Sequence, residues 1–419
     1  MWGRAKEICS SPFEESSEES APPMTMPDPL DFVDTAQLVA HTRELIAIPS
    51  VNPFAPGETP PEGEREQEIA QRYGEMLGEV GCEVRFETVS PGRPNVVGSL
   101  KGSKPGPTVL LAGHLDTVGV TGYDDPFEAR VTDGRIYGRG SCDMKAALAA
   151  FVEVGRLLHR GGCDFAGELL IAGIADEEDR MAGSAHWAQV GPVPDYAIVG
   201  EPSSLVVCPA HKGQLGMHIR TFGKAVHSSL RSQGVNAIEK MAEVIAAFST
   251  YNDELTARTP HELVGHGTFS IGVINGGEIM STVPDLCEIE VDRRMIPGET
   301  VDQVEAEYRA IIEPLAEADP SFRYELDGPT MHAAPLDTKL DSAVVTAIGL
   351  QFESVTGRPA IIEAFTGSTD APNFGCPSVI FGPGSLAQAH SLDEFVSIDE
   401  LVTATQVYLR TVQQLLASG

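Results

Sequence analysis

The chain of 419 residues carries 61 acidic and 29 basic side chains, a net charge of −32, and 42% of its residues are hydrophobic. That length suits two globular domains better than one core, and the composition is that of a folded protein. A field this negative repels a phosphate backbone, which argues against nucleic-acid binding, and no apolar run reaches the roughly 20 residues of a membrane-spanning helix.

Residues 1–30, acidic and rich in Ser and Pro, read as a disordered tail without the apolar stretch of a signal peptide. Met24 and Met26 stand just ahead of the first amphipathic segment and offer an alternative start. A helix is predicted from about Asp34 to Ala47. The Pro/Gly loop IPSVNPFAPGETPPEGE follows, and its glutamates open a second helix. The short apolar runs NVVGSL, TVLLAG, ELLIAGIA, DYAIVG and, much later, SVIFGPG read as strands buried on both faces. Among them DMKAALAAFVEVGRLLH reads as a helix, with Asp143 as its cap and Gly161-Gly162 as its stop.

From Lys212 to Gly328 the texture changes. QLGMHIRTFG, TFSIGVING and CEIEVDRRM alternate apolar and polar, as half-buried antiparallel strands do, with helical stretches at VNAIEKMAEVIAAFSTY and VDQVEAEYRAIIEPLAEA. The expected architecture is therefore α/β: a sheet flanked by helices, built from 31–211 and 329–419, with an inserted α+β domain at 212–328. The last predicted helix is VTATQVYLRTVQQLL. Seven scattered cysteines without a CxxC pair argue for a reducing cytoplasm rather than a disulfide framework.

Four of the buried-strand candidates run out into residues able to bind a metal: TVLLAG into His114, ELLIAGIAD into Glu177-Glu178, DYAIVG into Glu201, and SVIFGPGSLAQA into His390. Ligands of open α/β sheets gather at the carboxyl ends of strands, and Asp143 joins from the start of its helix. Two imidazoles and several carboxylates suit a borderline divalent ion such as zinc. They are too many for one catalytic ion, and two ions bridged by a carboxylate would use them all. Each residue also has an ordinary reading. Asp143 alone is a helix cap, DEED a solvated turn, Glu201 plain loop, and a histidine a satisfied structural group. Asp116, two residues after His114, is placed to hold the unused imidazole nitrogen, and the pair Glu177-Glu178 offers one ligand and one free base.

Together GHLDTV, GRGSCDMKAALAA, DEE, VGEPS, GKAVHSS, VPDLCEIEVDRRMIPGE and FGPGSLAQAHSLDEFV resemble the di-zinc amidohydrolase/metallopeptidase family of acetylornithine deacetylase, succinyl-diaminopimelate desuccinylase, aminoacylase-1 and glutamate carboxypeptidase. The likeness runs from about Thr35 to Val407. It implies a zinc-peptidase-like sheet with a ferredoxin-like lid that dimerises, and two divalent metal ions, zinc first and cobalt or manganese as alternatives.

On that pattern His114 and Glu201 would hold one metal, Glu178 and His390 the other, and Asp143 would bridge. Glu177 would be the general acid/base, and Asp116 the carboxylate that orients the His114 imidazole from behind. His227 would stabilise the oxyanion, delivered by the partner subunit. Arg294 would clamp a substrate carboxylate, while Arg293 is read as a surface or packing charge. Thr366, Gly367 and Asp370 would lie along the substrate pocket. Ser281 stands where many relatives have Asn, so substrate recognition departs from the family there. Cys142 is read as a small packing residue. The implied activity is removal of the acyl group from a small N-acyl amino acid by attack of a metal-bridging water. A dipeptidase or carboxypeptidase of the same family is the alternative.

Overall fold

The computed structural model describes residues 33–52 and 65–417; the N-terminal tail and most of the Pro/Gly loop lie outside them. The first helix, Thr35–Ala47, starts where Asp34 accepts a hydrogen bond from the Gln37 amide. Its buried residues Leu38, Thr42, Leu45 and Ile46 fall on one stripe. The second helix, Arg65–Glu79, has Glu66 and Glu68 in its first turn.

The apolar runs form one mixed sheet. Its strand order is Glu83–Ser90, Arg93–Lys101, Ala166–Ile174, Lys104–His114, Tyr196–Val199, Ser378–Ile380, Val207–His211 and Leu336–Asp337, and Ile362–Phe365 also pairs with Val207–His211. Successive side chains along a strand enter different cores. Val109, Leu111, Leu169 and Ile171 pack with the helices Ala146–Arg160 and Ile398–Leu416. Leu110, Ala112, Leu170 and Ala172 pack on the other face with Trp187 of the helix Ala182–Val190. Both faces are covered, which is why these strands are uniformly apolar.

Lys104–His114 is parallel to Ala166–Ile174 on one side and to Tyr196–Val199 on the other, and Ser378–Ile380 is parallel to Tyr196–Val199. Their carboxyl ends therefore share one edge of the sheet. His114 lies opposite Ile174, and Ala112 opposite Val199.

The predicted cap at Asp143 is a correction. The helix begins at Ala146 after Lys145, and Asp143 sits before it in extended backbone with φ −123° and ψ 89°. Its amide is taken by the Glu394 carboxylate at 3.1 Å, so the turn at 140–143 follows that partner and not the helix. Gly161 ends the helix as expected, with Gly162 at φ +77°.

After His211 the chain enters a separate antiparallel sheet ordered Thr268–Gly276, Leu286–Met295, Gly213–Phe222 and Arg323–Ala333. Burial alternates along Gly213–Phe222, and Leu215, Met217 and Ile219 pack against Met241, Val244, Tyr308 and Ile312 of the helices Ala237–Ala247 and Val301–Ala318. The fourth strand carries this unit past Gly328 to Ala333. The single helix expected at VNAIEKMAEVIAAFSTY divides at Phe248–Thr250, where Phe248 stacks on Phe269 at 4.8 Å, and resumes as Tyr251–Ala257. Among the described residues no helix is long and apolar enough to cross a membrane.

Candidate metal centre

Five of the predicted ligands meet at the shared sheet edge. His114 is the last residue of its strand, Glu178 lies on the turn after Ala166–Ile174, and Glu201 on the turn after Tyr196–Val199. Ligand atoms of His114, Asp143 and Glu178 all lie within 4.8 Å of one another. The Asp143 carboxylate sits between two pairs. Its Oδ1 is 2.9 Å from His114 Nε2, which is itself 3.9 Å from Glu201 Oε2. Its Oδ2 is 3.5 Å from His390 Nε2, which lies 3.2 Å from Glu178 Oε2. His390 comes from the long loop after Ser378–Ile380 and has φ +62°.

The donor set fits a cation on chemical grounds. His114 Nδ1 lies 2.9 Å from the Asp116 carbonyl, which only accepts, so Nδ1 carries a proton and Nε2 is the nitrogen turned to Asp143. A carboxylate oxygen 2.9 Å from that nitrogen calls for positive charge between them, supplied by a second ring proton or by a cation in its place. Glu178 Oε1 is buried with no hydrogen-bond partner among the described residues. Burial and then the charge of Asp143 push the Glu178 carboxyl up, and burial pushes Glu201 well up. Burial and then Glu201 raise the Glu177 carboxyl well above its usual range. Burial would raise Asp143 too, yet its bonds to His114 and His390 hold it well down. Hydrogen bonds to Asp143 and Glu178 lift His390 to about 10. Carboxyls pushed up by crowding beside an imidazole pulled up by carboxylates are the electrostatic signature of a site that cations would neutralise.

Asp116 acts differently from the expectation. Its carboxylate Oδ1 is 3.6 Å from His114 Nδ1, farther than its own carbonyl. It accepts instead from the amides of Glu177 and Glu178, both at 3.1 Å, and from Asn52 Nδ2 at 2.8 Å. The carboxylate thus clamps the turn that carries Glu177. Further support comes from residues the sequence reading passed over. Asn52 and Arg93 donate to Asp176 Oδ1 at 2.9 and 2.7 Å, and Glu66 is bonded to Arg93 and accepts from the Asp176 amide at 2.9 Å. Glu66 on the second helix, Arg93 on the second strand and Asn52 after the first helix are all buried, as such groups seldom are without partners.

The substrate candidates divide. Arg294, Thr366 and Gly367 line one cleft of about 860 Å³ with Lys212, Phe365 and His390. Strand alternation decides between the two arginines. Arg294 reaches this cleft, whereas Arg293 is fully buried, pairing with Glu299 at 2.6 Å, so it is a packing charge and not a surface one. Asp370 is buried, bonded to Ser184, and pushed up to about 7, first by burial. Cys142 is buried, its thiol donating to the Ser385 carbonyl at 3.2 Å.

His227 and Ser281 do not line this cleft. They sit together on the antiparallel unit, where the Ser228 amide donates to the Ser281 carbonyl at 2.8 Å and His227 bridges to Thr282. His227 is exposed. Its Nδ1 accepts from the Ser229 amide at 3.2 Å, so the proton resides on Nε2, which is left to act as a donor.

Residues 110–414 match Peptidase family M20/M25/M40. An acetylornithine deacetylase of Proteus mirabilis is 32% identical over 377 residues, covering 85% of this chain and 91% of that protein. The fold is also that of an aminopeptidase PepT from Bacillus cereus, with TM-score 0.72, 20% identity, and 91% and 99% of the two chains covered. A Bacillus subtilis protein described as a dinuclear metal-binding peptidase of the M20 family superimposes with TM-score 0.67 and 17% identity, over 91% and 98%.

Proposed function

The chain belongs to peptidase family M20/M25/M40, and we propose that it is a metal-dependent amidohydrolase that removes the acyl group from an N-acyl amino acid, as acetylornithine deacetylases do. The observation that carries this reading is the Asp143 carboxylate, one oxygen toward His114 and the other toward His390, beside the turn bearing Glu177. His114 and Glu201 form one end of the ligand set, Glu178 and His390 the other, and Asp143 joins them. The nitrogen and oxygen donors favour zinc, with cobalt and manganese as substitutes. Held by these residues, two such ions would supply Lewis acidity toward an amide carbonyl and lower the pKa of a bound water.

The chain's own groups do the rest. Glu177, held by Asp116 through its amide, takes a proton from the attacking water and returns it to the leaving amine. Arg294, with a planar fork of donors in the cleft, holds the substrate's carboxylate, and Thr366 and Gly367 line the same cleft. The His227 Nε2–H donates to the developing oxyanion of a partner subunit, docked through the 212–328 unit, where Ser281 meets the substrate. The scattered cysteines without a CxxC pair support placing the enzyme in a reducing cytoplasm.

The test is one mixed panel of N-acetylornithine, N-succinyl-diaminopimelate, simple N-acetyl amino acids and dipeptides. It is offered to zinc-loaded and chelator-stripped protein, with free amines read by mass spectrometry. Metal-dependent release from an acyl amino acid is expected. Cleavage confined to dipeptides would move the protein to the exopeptidase branch, and silence from loaded protein would overturn both.

A further inference from the structure

We propose that Glu394 is a positioning residue that locks the two loops carrying Asp143 and His390 into one unit; this rests on the two-cation reading above. Glu394 is fully buried. Its Oε2 accepts from Arg139 Nη1 at 2.6 Å and the Gly140 amide at 3.1 Å, and its Oε1 from the amides of Cys142 at 2.8 Å and Asp143 at 3.1 Å. Gly140, at φ +84°, turns the backbone so that these amides converge on an anion. The Glu394 carbonyl in turn accepts from the Gly138 amide at 3.1 Å, and the next residues pair with the strand Arg135–Tyr137, Phe395 opposite Tyr137.

One side chain therefore fastens the backbone of Asp143 to a segment that begins just after His390. All four acceptor directions of the carboxylate are used, so it reaches Asp143 through the main chain and nothing in the cleft directly. Asp143 must present one oxygen to each pair of ligands, so a small rotation of its backbone would disturb both. Outer groups of this kind tune metal sites without touching the metal.

Glu394→Gln keeps the shape but sets an amide NH2 against N–H donors in either orientation. The metal-free variant should keep the far-ultraviolet circular dichroism of the parent. Its Zn2+ affinity, by chelator competition, should fall about 10–100-fold. The visible spectrum of the Co2+-loaded form should change, and kcat should drop while KM moves by less than about twofold. Glu394→Asp restores the anion one methylene shorter. It should lie between the two, and it serves as the test if the Gln variant does not fold. Zn2+ affinity and Co2+ spectrum equal to the parent's in the folded variant would overturn the proposal. A parent protein that binds neither ion would overturn the two-cation reading beneath it and the proposal with it.

Discussion

Glu177 and Glu178 are neighbours with different surroundings. Both amides hang on the Asp116 carboxylate, but the Glu178 side chain turns to His390, while among the described residues Glu177 makes no ion pair with either imidazole. Glu177→Gln should therefore keep the metal content of the parent and lose on the order of 10²–10⁴ in kcat. Metal analysis alongside steady-state kinetics checks this, and near-normal turnover would remove Glu177 as the proton carrier. The pair of glutamates was legible as a site because it follows a buried strand. The part played by Asp116 was not, because spacing places its carboxylate near His114 but leaves open which oxygen the imidazole meets.

At the scale of elements, the candidate ligands converge because neighbouring strands run parallel and end on one edge. Beside them the strand Val207–His211, antiparallel to Ser378–Ile380, carries a buried titrating group. His211 is buried, lies 2.9 Å from the Lys212 carbonyl through Nδ1, and accepts from Thr369 Oγ1 at 3.1 Å through Nε2. Burial pushes its pKa from 6.5 down to about 4. Between those values the unfolded chain binds more protons than the folded one. His211 therefore contributes stability that is complete above pH 6.5 and is lost as pH falls toward 4. His211→Gln, which removes the titrating group, should show a smaller drop in Tm between about pH 7.5 and about pH 5 than the parent does. Equal drops in the two proteins would assign the pH sensitivity elsewhere. Helix positions were mostly legible from apolar stripes and caps. The break at Phe248 was not, since it follows aromatic contacts with Phe269 and Tyr308 from other elements.

At the scale of the whole molecule, His227 and Ser281 stand on the antiparallel unit, outside the cleft that holds Arg294 and His390. If His227 serves the neighbouring subunit, mixing His227→Ala and Glu177→Ala proteins under exchange conditions creates hybrids with one intact site. Random pairing makes half the dimers hybrid, so about a quarter of parental activity should return. No recovery after verified exchange would assign His227 to its own chain or to neither site.

Read alone, the sequence determined the α/β class, the strand-end placement of the candidate ligands and the alternating texture of the second unit, because these depend on periodicity and on residues a few positions apart. Tertiary structure decided which oxygen of Asp143 faces which partner, and that Arg294 and not Arg293 reaches the cleft. It also decided that Asn52, Glu66, Arg93 and Glu394 brace the turns beneath the ligands. Those contacts join segments far apart in the chain, and a hydrogen bond needs atoms within about 3 Å, a distance that no local pattern encodes.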